Sequence, residues 1–198
     1  MAFSSAAVLA SDPQQSALLD AARAAFAQRG LRHTSPTDIA LRAGVSRTTL
    51  YRRLGDMETI ERTVMVRDVM RFLAKVYDEV SPLPAPAERL TRIFVLGLRE
   101  FRDHPLLPVA AHTDPDAFSR LATSINHQTT GAIRDVLAGV LADSSLAVAD
   151  AQVIIDITMR LTVTFIFTPS RLTPLDTDEQ AHAFAQRHLV PVLDSLRS

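Results

Sequence analysis

The stretch "TDIALRAGVSRTTLYRRL", Thr37–Leu54, constrains the fold more than any other part of the chain. A sharp corner between two short helices needs three things. It needs a small residue where the helices cross, a turn residue with a tolerant backbone, and an apolar residue that locks the second helix. Ala40, Gly44 and Leu50 supply these at offsets of four and six, and Ile39 and Val45 add apolar anchors. Gly44 can take positive φ at little steric cost. The second helix then exposes Arg47, Thr48, Thr49, Tyr51, Arg52 and Arg53. Arg can bond guanine O6 and N7 in bidentate fashion, and Thr can bond bases or touch a thymine methyl. A Tyr hydroxyl, and backbone amides at the start of the helix opened by Pro36, can hold phosphates. This pattern points to a helix that enters the major groove of DNA. The same spacing also fits a plain helical hairpin with a solvated basic face.

Charge distribution favours the first of these. The chain carries a net −1 over 198 residues, but seven Arg against one Asp between Arg23 and Arg53 give that segment +6. The rest of the chain carries −7. A basic N-terminal third on an acidic body is suited to meeting a polyanion.

The remaining chain reads as helix. Hydrophobic residues make up 47%, Gly is scarce, and Ala and Leu dominate long stretches. Residues 1–15 are expected to be a disordered tail; with no Lys or Arg before a short apolar part, they do not form a signal peptide. Leu18, Ala22, Ala25 and Phe26 share one face of a first helix that stops at Gly30. Ser35, Pro36 and Asp38 form a capping-box start for a second. Ser46 can cap a third, running to about Leu54, and Asp56 a fourth, reaching about Val80. "SPLPAPAE" then breaks the pattern as a stiff linker. Beyond it, Ile93, Phe94, Leu96, Gly97 and Phe101 lie toward one side of another helix. "HPLLPVAAHTDPD" is a broken connection, and residues 116–143 read as a long helix. "AQVIIDITMRLTVTFIF" reads as a further helix, although "LTVTFIF" alone has strand propensity. A last helix is kinked or shortened by Pro191.

The segment "LLDAARAAFAQRGLRHTSPTDIALRAGVSRTTLYRRL" resembles the N-terminal domain of the TetR family of bacterial transcriptional regulators, and "LTVTFIFTPS" followed by "AFAQRHLVPVLDSL" is similar to the tail of many actinobacterial family members. The resemblance rests on Phe26 to Gly30, on Asp38–Ala40, and on Ala-Gly-Val-Ser followed by Thr-Leu-Tyr. It covers about Leu18 to Ile60. It implies an all-α protein, with a three-helix DNA-binding domain at 16–62 joined by a long fourth helix to a helical ligand-binding and dimerisation domain at 63–198. Three positions depart from the family pattern. Leu54 stands where an aromatic residue is usual, Met57 where a phosphate-binding Lys is favoured, and Thr48 where Gly is common. Bases fall to Arg47, Thr48 and Thr49, and phosphates to Thr37, Tyr51 and Arg52, with Arg53 beside them.

The resemblance further implies a homodimer that binds a palindromic double-stranded operator, probed by an effector in the C-terminal domain. Val153, Ile157, Leu161 and Phe165, with Phe184, Leu189, Val192 and Leu193, suit a helical dimer interface; an intramolecular core is the other reading. Phe94, Phe101, Leu121, Ile125, Met159 and Thr162, with Gln128 as a polar group, could line a largely apolar effector pocket, though they describe an ordinary core equally well. The expected function is a ligand-responsive repressor. The alternative is a ligand-binding helical dimer whose DNA domain is weak or inactive, motivated by Met57. No catalytic residues, metal or cofactor are expected: the six His are scattered, Cys is absent, and no nucleophile elbow or phosphate loop occurs. Asp156 and Arg160 inside the most apolar window argue against a membrane span, and the absence of Cys fits a reducing compartment, so a cytoplasmic protein is expected.

Overall fold

The computed structural model describes residues 12–105 and 127–197. Nine α-helices make up these residues: α1 Pro13–Arg29, α2 Pro36–Arg42, α3 Arg47–Leu54, α4 Met57–Val80, α5 Pro86–Asp103, α6 His127–Leu141, α7 Val148–Phe167, α8 Asp178–Phe184 and α9 Val190–Ser195. A π-helical turn, Ala185–Leu189, joins the last two. An isolated bridge between Asp143 and Leu146 is the one extended pairing among the described residues. None of the described helices is long and apolar enough to cross a membrane.

The chain divides into two compact units. The division falls inside α4, between Arg71 and Phe72. In the N-terminal unit, Leu18, Leu19, Ala22, Ala25 and Phe26 of α1 form the buried stripe that the periodicity predicts. They pack with Ile39 and Ala40 of α2, Leu50 and Leu54 of α3, and Ile60, Val64 and Met65 of α4. Each large apolar side chain buried this way contributes roughly 1.5–3 kcal/mol. The helix starts are fixed locally. Asp12 caps α1, Ser35 and Asp38 close a capping box on α2, and Ser46 caps α3. Asp56 Oδ1 accepts from Thr59 N at 2.9 Å and opens α4.

Charged groups tie α4 to α1. Arg23 Nε lies 2.8 Å from both oxygens of Asp68, whose side chain is nearly fully buried. Arg71 reaches Asp68 at 3.2 Å and Asp20 at 3.0 Å, and Arg67 reaches Asp20 at 3.2 Å.

In the C-terminal unit, α5 buries Leu90, Ile93, Phe94, Val95, Leu96 and Leu98. Packed with them are Ile154, Ile155 and Thr158 on one side of α7 and Ala181, Ala185, Leu189 and Leu193 near the C-terminus. The stretch "LTVTFIF" is helical to Phe167, as its flanks and length predict. Of the long helix expected over 116–143, the part from His127 is helical; its beginning, and the Pro-punctuated connection, lie outside the described residues apart from His104 and Pro105. So do residues 1–11 of the expected tail.

The break near Pro191 has a specific form. Pro191 has no N–H to donate, and its ring crowds the preceding turn. The helix widens just before it, so that Val190 N–H bonds Ala185 O, five residues back. Leu189 and Leu193 were expected at a dimer face. They are 1% and 0% exposed within the chain's own core, which corrects that reading.

Candidate nucleic-acid interface

The corner between α2 and α3 takes the form that Thr37–Leu54 calls for. Gly44 adopts φ 66°, in the left-handed region. Val45 N bonds Ala40 O at 3.0 Å and Gly44 N bonds Leu41 O at 3.2 Å, closing the turn. A Cβ built on Gly44 would meet nothing within 4 Å, so backbone conformation, not space, selects Gly here. Leu50 is fully buried and Ala40 nearly so, which seats α3 against α1 and α2.

Seating Leu50 and Leu54 inward turns Arg47, Thr48, Tyr51, Arg52 and Arg53 to solvent. Thr37, on the first turn of α2, is exposed as well. Thr49 differs. It is half-buried, and its Oγ1 lies 2.9 Å from Ser46 Oγ inside the cap of α3. Reading a base with Thr49 requires giving up that contact, so Thr48 is the more available hydroxyl.

The seven Arg of the basic segment are not equally free. Arg23 is held by Asp68 and Arg29 by Asp38 at 2.9 Å. Arg42 donates to Gln28, and Arg53 Nη1 donates to Asp12 Oδ2 at 2.7 Å. Arg32 also has a partner. Arg47 and Arg52 make no hydrogen bond or ion pair among the described residues. The +6 read from the segment therefore narrows to two guanidinium groups standing open on α3, with Arg53 beside them on an exposed tether. Proximity in space decided this; Asp12 and Asp68 are 41 and 45 residues from their Arg partners.

Carboxylates that organise the unit ionise readily. Hydrogen bonds from the Ser35 side chain and backbone, with Arg29 nearby, hold Asp38 below the usual carboxylate range. Thr59 does the same for Asp56 through its side chain and backbone. Met57, at the position where the family resemblance would place a phosphate-binding Lys, packs against the N-terminal core. Leu54 is buried where an aromatic residue was expected by resemblance.

The effector candidates separate on inspection. Phe94 is fully buried and stacks on Phe184 at 5.4 Å between ring centroids. Phe101, Met159 and Thr162 are half-buried. Thr162 Oγ1 donates to Thr158 O at 2.8 Å and its methyl faces Gly97. Leu121, Ile125 and the side chain of Gln128 lie outside the described residues. A separate groove of ≈ 500 Å³ runs between α5 and α8, over Thr91 and Val95. None of the expected effector residues lines it. Among its lining residues, Arg99 bonds Asp178, which Arg102 also reaches at 2.6 Å, and Gln186 Nε2 bonds Thr91 Oγ1 at 2.9 Å. Two Arg on one carboxylate hold Asp178 below its ordinary range.

The dimer candidates also divide. Val153, Ile157 and Val192 are exposed. Leu161 and Phe165 are half-buried, and the Phe165 ring meets Phe184 edge-on at 5.2 Å within the same chain. Val163 and Phe167, which the sequence reading did not include, are 52% and 49% exposed on α7. On a helix they fall on the same broad side as Val153 and Ile157, opposite Ala151, Ile154, Ile155 and Thr158.

Residues 18–60 match the family described as bacterial regulatory proteins, tetR family. An uncharacterized HTH-type transcriptional regulator of Mycobacterium tuberculosis is 34% identical over 90 residues, covering 46% of this chain and 45% of that protein. The HTH-type transcriptional repressor KstR2 of the same species is 32% identical over 87 residues, 44% of each chain. The chain thus matches less than half the length of these curated relatives. In fold, it is similar to the TetR family repressor AlkX from a Dietzia strain, implicated in biodegradation of n-alkanes: TM-score 0.68 at 24% identity, over 92% of this chain and 98% of that one. Residues 18–60 thus match the helix-turn-helix of the tetR family, and the all-helical fold of the chain is similar to that of a TetR family repressor.

Proposed function

We propose that this protein is a DNA-binding transcriptional regulator that binds a palindromic operator as a homodimer, acts as a repressor, and is released by a small, largely apolar molecule. It has no catalytic step in this reading and works in the cytoplasm. The observation that carries the DNA part is the open presentation of Arg47, Thr48, Tyr51 and Arg52 on a capped, core-locked α3. The exposed apolar side of α7 supports the homodimer. A two-fold pair of α3 helices about 34 Å apart would read two half-sites one helical turn apart. An effector that favours the wrong separation by ~3 kcal/mol would lower operator affinity more than a hundredfold.

The test is retention of genomic fragments by the purified protein at about 0.15 M salt, followed by sequencing. A few palindromic sites near promoters support the regulator. Retention that ignores sequence would favour a ligand-binding dimer with a weak DNA domain, a reading that the packing of Met57 into the core keeps in play.

Contact types predict how variants behave. Arg47→Ala should cost ~1–3 kcal/mol of discrimination at one base position, read as a flattened preference there when operator variants compete. Tyr51→Phe should instead weaken all operators alike by ~1–2 kcal/mol, roughly five- to thirtyfold, because a phosphate bond carries no sequence information. A changed preferred sequence in Tyr51→Phe would place that side chain on a base.

A further inference from the structure

We infer that Asp12 is a built-in phosphate surrogate: it occupies Arg53 in the DNA-free protein and sets operator affinity by competing with the DNA backbone for that guanidinium. The inference rests on the DNA-binding reading above and concerns the control of that same surface. Arg53 Nη1 donates to Asp12 Oδ2 at 2.7 Å. Asp12 Oδ1 meanwhile accepts from Gln14 N at 3.1 Å, as the N-cap of α1. One carboxylate oxygen therefore starts a helix while the other holds an α3 side chain from 41 residues away. Both side chains stay accessible, at 37% for Arg53 and 48% for Asp12, so a phosphate oxygen can reach the same guanidinium. The other paired Arg side chains of the segment do not share this placement: Arg53 alone among them belongs to the exposed face of α3.

An exposed pair of this kind is weak and exchangeable. A DNA phosphate can take Arg53, but Asp12 is then left charged beside the duplex. Its charge recruits a cation as the phosphate gives one up, so Arg53 adds little net counterion release in the native chain. Removing the Asp12 charge should expose that hidden contribution.

Asp12→Asn is the appropriate change, because Asn caps a helix as well as Asp does and α1 keeps its start. A labelled operator fragment recovered from the genomic retention serves as the probe, with affinity measured by anisotropy between about 0.05 and 0.3 M salt. Asp12→Asn should bind roughly two- to fivefold tighter near 0.15 M salt, and its log–log salt slope should steepen by up to ~0.9. In an Arg53→Gln background the same change should do neither. Asp176→Asn, an equal change of net charge on an exposed residue of the C-terminal unit, should match the native protein. A merely structural role for Asp12 would weaken binding and leave the slope alone. Native-like affinity and slope in Asp12→Asn would overturn the inference while the DNA reading stands. Equal tightening with and without Arg53 would also overturn it, in favour of general charge repulsion. Absence of any specific fragment for the native protein would overturn the DNA reading and this inference with it.

Discussion

Ile157→Asp should convert the protein to a monomer in sedimentation velocity and lower operator affinity by ~10²–10⁴-fold, while each isolated reading unit stays folded. The size of the effect comes from linkage, not from any contact to DNA. Two α3 helices held in one dimer make the second half-site encounter intramolecular, and a monomer forfeits that gain entirely. Ile157 is 36% exposed, between Val153 at 49% on one turn and Phe167 at 49% further along α7. An apolar side of this kind on a polar-rimmed helix is suited to a partner surface. A carboxylate placed there would be desolvated on pairing with no cation assigned to it. The neighbouring Arg160 is already engaged by Asp156 at 2.6 Å. An Ile157→Asp dimer of unchanged size would move the pairing face elsewhere on the C-terminal unit.

Phe26→Ala acts on the other unit and by another cause. Phe26 is 1% exposed and sits in the only cluster that joins α1, α2, α3 and the start of α4 among the described residues. Truncating a buried Phe costs ~3–5 kcal/mol through lost transfer energy and the cavity left behind. That is a large part of what a small domain has to spare. The expected result is an N-terminal unit that unfolds at markedly lower urea concentration, with DNA retention lost and dimerisation kept. A urea midpoint equal to the native one would mean that the cluster closes around the gap. If the chain pairs as proposed, Phe26→Ala should unfold the reading head and keep the dimer, and Ile157→Asp should keep the head folded and lose the dimer.

What could be read from the sequence was what neighbours along the chain decide. The caps at Ser35, Ser46 and Asp56 are local events, three or four residues wide, and each stands where its residue pattern places it. The buried stripe of α1 and the positive φ at Gly44 follow from a 3.6 period and from the absence of a Cβ. Charge counting was less reliable, because a run of Arg says nothing about distant carboxylates. Arg23 and Arg53 looked as available as Arg47 until Asp68 and Asp12 came to them from other helices. The side chains proposed for a pairing face divide. Val153 and Ile157 are open, yet Phe165 turns to Phe184 and Leu189 and Leu193 turn inward. The side chains proposed for an effector pocket are the least legible, since Phe94 in a core and Phe94 in a pocket wall look alike in a sequence.

The wide turn at Ala185–Leu189 makes residue number, at one place in this chain, matter more than residue type. A helix is a counter that advances about 100° per residue. The π turn holds one residue more than an α turn would, and so resets the count. Ala181, Ala185 and Leu193 are all fully buried on that account. Counted along an unbroken α-helix, Leu193 would swing about 120° away from Ala181. Counted with the extra residue, it returns to within about 20°. A one-residue deletion in this turn would let the chain run on as an unbroken α-helix and leave Leu193 within about 20° of Ala181. Straightening the turn at full length would instead swing every side chain after Val190 by about 100°.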